Sequence, residues 1–306
     1  MNDFLPGIEL QEDKFYPVLS SLKKSNIRHE STFSSLDVFI KSKIFCIVSN
    51  TRRSKLTEIE TIKNKKIKKD IPIIRKFKTS LGYTVFLSGP LLGMDDAAIL
   101  EILVNIYHEN SYSNGQVTCT YKNIAEKIGY SINPKKGLGG SKKEKIERSL
   151  LRLRYAAIEI RDENGELVWV DNILPRFKVI GKARGQKLEL ELNQNFIHQY
   201  EKNNFFTLDR LKLNSLDGDW EKALFRLICS VKKAHFKASI DSLYNLFHEN
   251  EIKPAKIYSV KQDIKRSIET LILKGILEPK SFIDKNGNVQ FHTSAAFLDL
   301  HPTIPH

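Results

Sequence analysis

Residues that could do covalent or metal chemistry are present, but they are not spaced for it. The eight histidines (His29, His108, His198, His235, His248, His292, His301 and His306) contain no pair separated by one apolar residue, the ligand spacing of a metal-dependent nicking site. There is no HExxH and no GxSxG. Cys46, Cys119 and Cys229 are too far apart for a CxxC zinc site. Scattered cysteines in odd number also argue against a disulfide framework and fit a reducing compartment. Asp95-Asp96 has the look of a metal-binding carboxylate pair. It stands at the start of an apolar helical stripe, however, where carboxylates complement the helix dipole, so capping is the expected role. These observations predict no catalytic residue, no metal and no cofactor.

The residues whose types and spacing do suggest a task are hydrogen-bond donors. In a helix expected at about 141–157, Ser141, Lys145, Arg148, Arg152 and Tyr155 lie opposite the apolar arc of Ile146, Leu150, Leu153 and Ala157. In a second helix, at about 256–274, Tyr258, Gln262, Lys265, Arg266 and Glu269 lie opposite Val260, Ile264 and Leu271, with Lys261 beside them. Arginine forks onto guanine, glutamine onto adenine, and lysine meets guanine or phosphate. A helix with one buried face and one donor-rich face is what the DNA major groove admits. The loop before the first helix, NPKKGLGGSKKEK, brings Lys135, Lys136, Lys142 and Lys143 to a glycine-rich helix start suited to a phosphate. It lacks the G-x-x-x-x-G-K-[ST] spacing and the preceding strand of a nucleotide P-loop.

Each of these helices is third in the same order of elements. The pattern from Leu92 reads as helix, short strand at Val117–Thr118, helix Tyr121–Ile128 capped by Thr120 and Gly129, loop, longer helix, then hairpin strands between Ile158 and Leu192. The order recurs roughly 110–120 residues later: helix Trp220–Lys233, strand Phe236–Lys237, helix Ile240–Phe247 capped by Ser239, longer helix, and a hairpin of Ile276–Pro279 with Val289–His292. Lys285 lies in the turn of that last hairpin. The expected fold class is therefore α+β and helix-rich, with two tandem winged helix-turn-helix domains at 81–200 and 201–306, joined by a stretch near 193–218. An N-terminal segment and basic arm, 1–80, is expected to be weakly structured apart from a strand at Ile44–Ser49, with IKNKKIKKD able to form a short helix.

Charge supports a polyanionic partner. The 306 residues carry 49 Lys+Arg against 36 Asp+Glu, net +13. Residues 51–80 alone carry 11 basic and 3 acidic groups, so more than half of the excess sits in the arm, where Arg52, Arg53 and the lysines of 63–69 would contact phosphates. No run approaches the ~18 apolar residues of a membrane helix, and the first residues do not read as a secretory signal; a cytoplasmic protein is expected.

Several stretches resemble the TrfA-type plasmid replication initiators: YTVFLSGPLLGMDDAAILEILVNIY, GQVTCTYKNIAEKIGYSIN, IERSLLRLRYAAIEIRDENGEL, ILPRFKVIGKARGQK and ALFRLICSVKKAHFKASIDSLYNLF. The resemblance covers about 40–280 and is densest over 83–187. It implies binding to repeated sites (iterons) in double-stranded origin DNA, opening of adjacent AT-rich DNA, recruitment of host DnaA and the replicative helicase, and a dimer in equilibrium with an active monomer. The insertion NPKKGLGGSKKEK departs from the family pattern. Some family members also carry a sliding-clamp peptide; the nearest counterpart, Ser35-Leu36-Asp37-Val38-Phe39 with Leu36 and Phe39 as anchors, lacks its glutamine. A transcriptional regulator with the same domains is the alternative reading.

Overall fold

The computed structural model describes residues 32–36, 44–48, 50–62, 65–78, 84–110, 114–134, 137–181, 186–195, 197, 205–231, 233–248 and 256–299. At its centre lies helix α2 (Met94–Glu109). It follows β1 (Thr32–Leu36), α1 (Asn50–Lys55), β2 (Thr57–Ile62), β3 (Lys65–Asp70), β4 (Ile73–Lys78) and β5 (Thr84–Gly89). α2 starts where Gly93 adopts extended backbone and its N–H donates to Asp96 Oδ2 at 2.7 Å, the capping role expected of that carboxylate. It is apolar almost all round, with Ile99, Leu100, Ile102, Leu103, Val104 and Ile106 buried, as a helix packed on several sides must be.

Around α2 the expected order appears: β6 (Gln116–Thr120), α3 (Tyr121–Ile128), α4 (Gly140–Tyr155), β7 (Ala157–Arg161), β8 (Leu167–Asn172), β9 (Arg176–Ile180) and β10 (Lys187–Glu191). The short strand β6 does not stand alone. It pairs antiparallel with β10, which pairs with β9, so a three-stranded sheet closes beside the three helices. β7 and β8 leave that hairpin and join the preceding strands in a second sheet, ordered β4-β5-β7-β8. Its inner face carries the buried Val85, Leu87 and Ile158. Because β4 pairs with β5, strands on either side of residue 80 share one sheet.

The second unit repeats the scheme. β11 (Phe205–Asp209) and α5 (Arg210–Asn214) lead into α6 (Asp219–Val231), β12 (His235–Ser239), α7 (Ile240–Phe247), α8 (Ile257–Leu273), β13 (Phe282–Ile283), β14 (Asn288–His292) and α9 (Ala295–Asp299). β12, β14 and β13 form the second three-stranded sheet. The hairpin partner of β14 is thus 282–283 and not Ile276–Pro279. Asp284 Oδ1 accepts from the N–H groups of Asn286 and Asn288, so pairing begins directly at that turn. Leu277 contributes only an isolated bridge to Thr293.

The described residues before α2 are woven into both units. β1 pairs with β11, register Leu36↔Phe205. Of the strand expected at Ile44–Ser49, the described residues 44–48 form only an isolated bridge, and Ser49 lies outside the described residues. The apolar run serves burial instead: Ile44, Phe45, Cys46 and Val48 are buried, Cys46 bridges Gly93, and the Ile47 N–H donates to Phe247 O at 2.7 Å. The basic stretch expected as a loose arm or short helix folds as the β2–β3 hairpin. Its alternating TEIETI and KKIKKD place Glu58 opposite Lys69, and cross-strand pairs of opposite charge stabilise a sheet. With this arm in strands, the molecule is mixed α and β more evenly than the helix-rich expectation. Among the described residues one large apolar core runs from Ile44 through α2 and α6 to Phe297, with a smaller cluster of Cys46, Val48 and Leu91 apart from it.

Candidate nucleic-acid interface

The two long helices α4 and α8 occupy equivalent places, each packed on the first helix of its unit, α2 and α6 respectively. Both bury most of the arc their sequence predicts, Ile146, Leu150 and Leu153 in α4 and Val260, Ile264 and Leu271 in α8; Ala157, expected on the α4 arc, lies instead in β7 and is only partly buried, because the helix ends at Tyr155. Their N-termini differ from those of the shorter helices before them. Thr120 Oγ1 accepts from Asn123 N–H to cap α3, and Ser239 Oγ accepts from Ser242 N–H to cap α7. Neither α4, entered at Gly139, nor α8, entered at Lys256, receives a side-chain cap. Among the described residues their first N–H groups meet no side-chain acceptor, an arrangement complementary to phosphate.

On α4 the expected donor face is divided. Ser141 and Lys145 are exposed near its start, and Tyr155 is 65% exposed at its end. Lys142 and Lys143 are drawn inward. Lys142 Nζ donates to Ser131 O and Oγ at 2.8 and 2.7 Å and lies over the Tyr130 ring. Lys143 Nζ donates to Gln186 Oε1 at 2.5 Å and lies over Tyr121. Both tie the helix start to its own unit. Lys135 and Lys136 lie outside the described residues.

Arg148 and Arg152 are not on a free face. Arg152 is only 7% exposed, and its Nη2 and Nε donate to Asp96 Oδ1 at 2.7 and 3.0 Å. Its Nη1 reaches Asp70 Oδ2 at 3.4 Å. Arg148 Nη2 donates to Asp70 Oδ1 at 2.9 Å and to Thr57 Oγ1 at 3.4 Å. Thr57 and Asp70 are opposite residues at the base of the β2–β3 hairpin. One turn earlier, Lys68 pairs with Glu144 at 3.5 Å. The hairpin thus lies along the Glu144, Arg148, Arg152 ridge of α4, residues four apart and hence on one line of the helix. Helical periodicity alone placed both arginines opposite the core; it could not show that a distant hairpin covers that side.

The electrostatics follow from burial and pairing. Burial of Asp96 favours its neutral form, but the Arg152 charge and hydrogen bonds, then Arg53 and the Gly93 N–H, outweigh it and hold the carboxyl below its ordinary value. Ser149 Oγ donates to the same carboxylate. Burial opposes the charge on Arg152 too, yet Asp96 and then Asp70 keep it more firmly protonated than usual. Arg53, expected on phosphate, instead faces Asp96 Oδ2 at 3.7 Å and donates to Leu91 O at 3.4 Å. Burial dominates there and lowers its affinity for a proton. Arg52 sits on the same short helix, partly exposed.

α8 keeps its donors accessible. Tyr258 is 74% exposed, Lys265 and Arg266 are exposed, and Lys261 and Gln262 are partly so. Arg266 Nη2 donates to Asp263 Oδ1 at 2.6 Å across an exposed pair, a contact of the kind that contributes ~0–1 kcal/mol and is readily exchanged for another anion. Lys285 is exposed in the β13–β14 turn. Of the proposed clamp-binding anchors, Leu36 is part of β1, paired with Phe205, and Phe39 lies outside the described residues. Among the described residues no group of three or more His, Cys, Asp and Glu side chains is placed to hold a metal, and no helix is long and apolar enough to cross a membrane.

Sequence reasoning missed Asp70 and Thr57 as partners of α4, and Asp96 as more than a cap. One legible sign was Asp70 itself, the acidic residue that closes the run KNKKIKKD.

No protein-family model and no curated protein sequence matches the chain. Among solved structures, selenomethionine crystals of domains 2 and 3 of RctB are similar over 78% of this chain and 91% of that one, with a TM-score of 0.52 and 12% identity. A second structure of RctB domains 2–3 gives a TM-score of 0.47 and 12% identity over 80% of this chain and 94% of that one. At this identity the likeness is one of fold.

Proposed function

We propose that the protein is a non-enzymatic replication initiator that binds repeated sites in double-stranded origin DNA through two winged helix-turn-helix units. The reading rests above all on α4 and α8: each is third in the same order of elements, packs on its unit's first helix, begins without a side-chain cap and is followed by a hairpin. Fold likeness to domains 2 and 3 of RctB is in keeping with it.

In this account the two helices enter successive major grooves on one face of a repeat roughly two helical turns long. Ser141, Lys145 and Tyr155 act from α4. From α8, Gln262 is matched to adenine and Arg266 to guanine, with Tyr258, Lys261 and Lys265 around them; each bidentate base contact discriminates by ~1–3 kcal/mol. Lysines of the β2–β3 hairpin and Lys285 supply phosphate contacts, the salt-sensitive part of affinity. Arg148, Arg152 and Arg53 act indirectly, by fixing that hairpin against α4. Binding energy would then deform and open adjacent AT-rich DNA. Host DnaA and the replicative helicase would be recruited to it in the bacterial cytoplasm, with a dimer serving as the reserve form.

The test is selection of bound duplexes from a random library, followed by affinity measurements at several salt concentrations. Enrichment of one motif containing two sub-sites on the same face of the duplex is the expected result. Enrichment of a palindrome would favour the regulator, and no enrichment would refute duplex recognition.

A further inference from the structure

Asn214 Nδ2 donates to Lys127 O at 3.1 Å across the junction of the two units, and deeper in it, among the described residues, one ion pair is buried. Glu101 of α2 and Arg226 of α6 meet there with at most 2% of either side chain exposed. Arg226 Nε donates to Glu101 Oε1 at 2.9 Å and Nη2 to Oε2 at 2.8 Å, so both prongs of the guanidinium fork are used. Arg226 Nη1 also reaches Lys222 O at 3.4 Å. A turn away, Lys222 Nζ lies 3.3 Å from Asp95 at the solvent edge of the same seam. Burial opposes the Arg226 charge, but Glu101 and then Asp95 keep it protonated.

Such a pair does little for stability, since removing two charges from water offsets most of their attraction. Its geometry does something apolar contact cannot. Apolar burial is non-directional and pairs no particular atoms of one helix with those of the other. A bidentate guanidinium–carboxylate pair has one satisfied arrangement, and any slip leaves a buried charge unpaired. The residues also stand on a packed path between the two long helices: α4 packs on α2, α2 on α6, and α6 on α8. The register of α2 against α6 therefore sets the distance and rotation between α4 and α8.

We infer that Glu101 and Arg226 are positioning residues that fix which spacing between the two DNA sub-sites the protein accepts. The inference deepens the proposed function and rests on it for its DNA readout. The register claim itself does not.

The experiment uses the full chain in three forms: wild type, a neutral pair (Glu101→Gln with Arg226→Met) and the conservative Glu101→Asp. Each is titrated with the selected duplex and with versions carrying one, two or three extra base pairs between sub-sites. Two added base pairs rotate one sub-site by roughly 70° about the duplex. Wild type should then lose at least about tenfold in affinity, the equivalent of one base contact. The neutral pair should lose less than about threefold while binding an isolated sub-site as wild type does, and Glu101→Asp should recover most of the spacing dependence. Parallel profiles for wild type and neutral pair would overturn the inference.

A second readout needs no DNA. Spin labels at Ser141→Cys and Lys265→Cys, both exposed positions in a chain whose native cysteines are buried, report the distance between α4 and α8. A narrow distribution in wild type that broadens in the neutral pair and narrows again in Glu101→Asp supports the register role. A neutral pair as narrow as wild type refutes it. If no duplex is selected but the distances behave as expected, the proposed function fails and the positioning role stands. If the neutral pair does not fold, Glu101→Gln alone carries both readouts, with a broadened distance distribution and a weakened spacing dependence expected and wild-type values refuting.

Discussion

Replacing Arg152 with alanine should cost about 3–5 kcal/mol of stability, because it leaves Asp96 buried without its main counter-charge. The figure can be built from the contacts. Arg152 makes donor contacts of 2.7, 3.0 and 3.1 Å to the Asp96 carboxylate and one of 3.4 Å to Asp70. Hydrogen bonds to charged groups contribute ~1.5–3 kcal/mol each, and two good ones already reach the lower bound. Three groups remain to hold Asp96: the Gly93 N–H, Ser149 Oγ and, at 3.7 Å, Arg53. Their presence favours the low end, ~3 kcal/mol, which is still a large share of the ~5–15 kcal/mol typical of a folded domain. With a urea m-value of about 3 kcal/mol/M, the unfolding midpoint falls by about 1 M. Urea titration followed by circular dichroism measures it, and Asp96→Asn in the same background should recover part of the loss because the orphaned charge is gone. The sign with pH is fixed as well. The Asp96 carboxyl is held below its ordinary value, so its contribution is complete at neutral pH and is lost as pH falls below the ordinary carboxylate range; Asp96→Asn should flatten that decline. An Arg152→Ala protein as stable as wild type, but unable to tell cognate from scrambled DNA, would refute this reasoning and return the guanidinium to the DNA.

His248 is held down to about 4, first by burial and then by the nearby Lys256 charge; its Nε2 has no hydrogen-bond partner and its ring stacks on Tyr244. The unfolded chain therefore binds the extra proton between pH 6.5 and about 4, and stability should fall by up to ~3 kcal/mol over that window as pH drops, an effect that His248→Phe should abolish in acid titrations of the unfolding midpoint. Changing Lys65, Lys66 and Lys68 to Gln should reduce the slope of log K against log salt by up to ~0.9 per phosphate contact removed, whereas an unchanged slope would place the hairpin away from DNA. Gln262→Ala should cost ~1–3 kcal/mol at one base position and relax specificity there, while Lys265→Ala should weaken all sequences alike, both read from binding to a panel of single-base variants. Gly89 has φ +118°, and an added Cβ would lie 2.3 Å from Tyr155 O, so Gly89→Ala should cost at least ~1–3 kcal/mol and loosen the junction of β5 with the end of α4; an unchanged melting temperature would contradict the packing.

Local signals carried much of the helical framework. Thr120, Ser239 and Gly129 mark helix ends through hydrogen bonds made within a few residues, and the buried arcs of α4 and α8 follow from a 3.6-residue period. What escaped was non-local. Arg152 pairs with Asp96 and Asp70, and Glu101 pairs with Arg226, across chain separations that no periodicity spans. Lone charges did stand in apolar runs, Glu101 in AILEILV and Arg226 in ALFRLI, and a charge in such a setting is a sign that a partner must exist elsewhere in the fold. The β2–β3 hairpin was obscured by composition. Five lysines within 63–69 read as a solvated run or helix, and only the alternation of Ile59 with Glu58 and Glu60, and of Ile67 with its lysine neighbours, marked a period of two. β13 was missed because two residues are too few to leave a pattern, and the Asp284 turn that aligns them works through backbone N–H groups.

The central claim is that two equivalent helices read repeated duplex DNA. A DNase footprint of the protein on the DNA flanking its own gene, taken at several salt concentrations, tests it most directly. The account predicts evenly spaced protected repeats beside an AT-rich tract, weakening as salt rises; no protection at any salt concentration, or one palindromic site over a promoter, would contradict it.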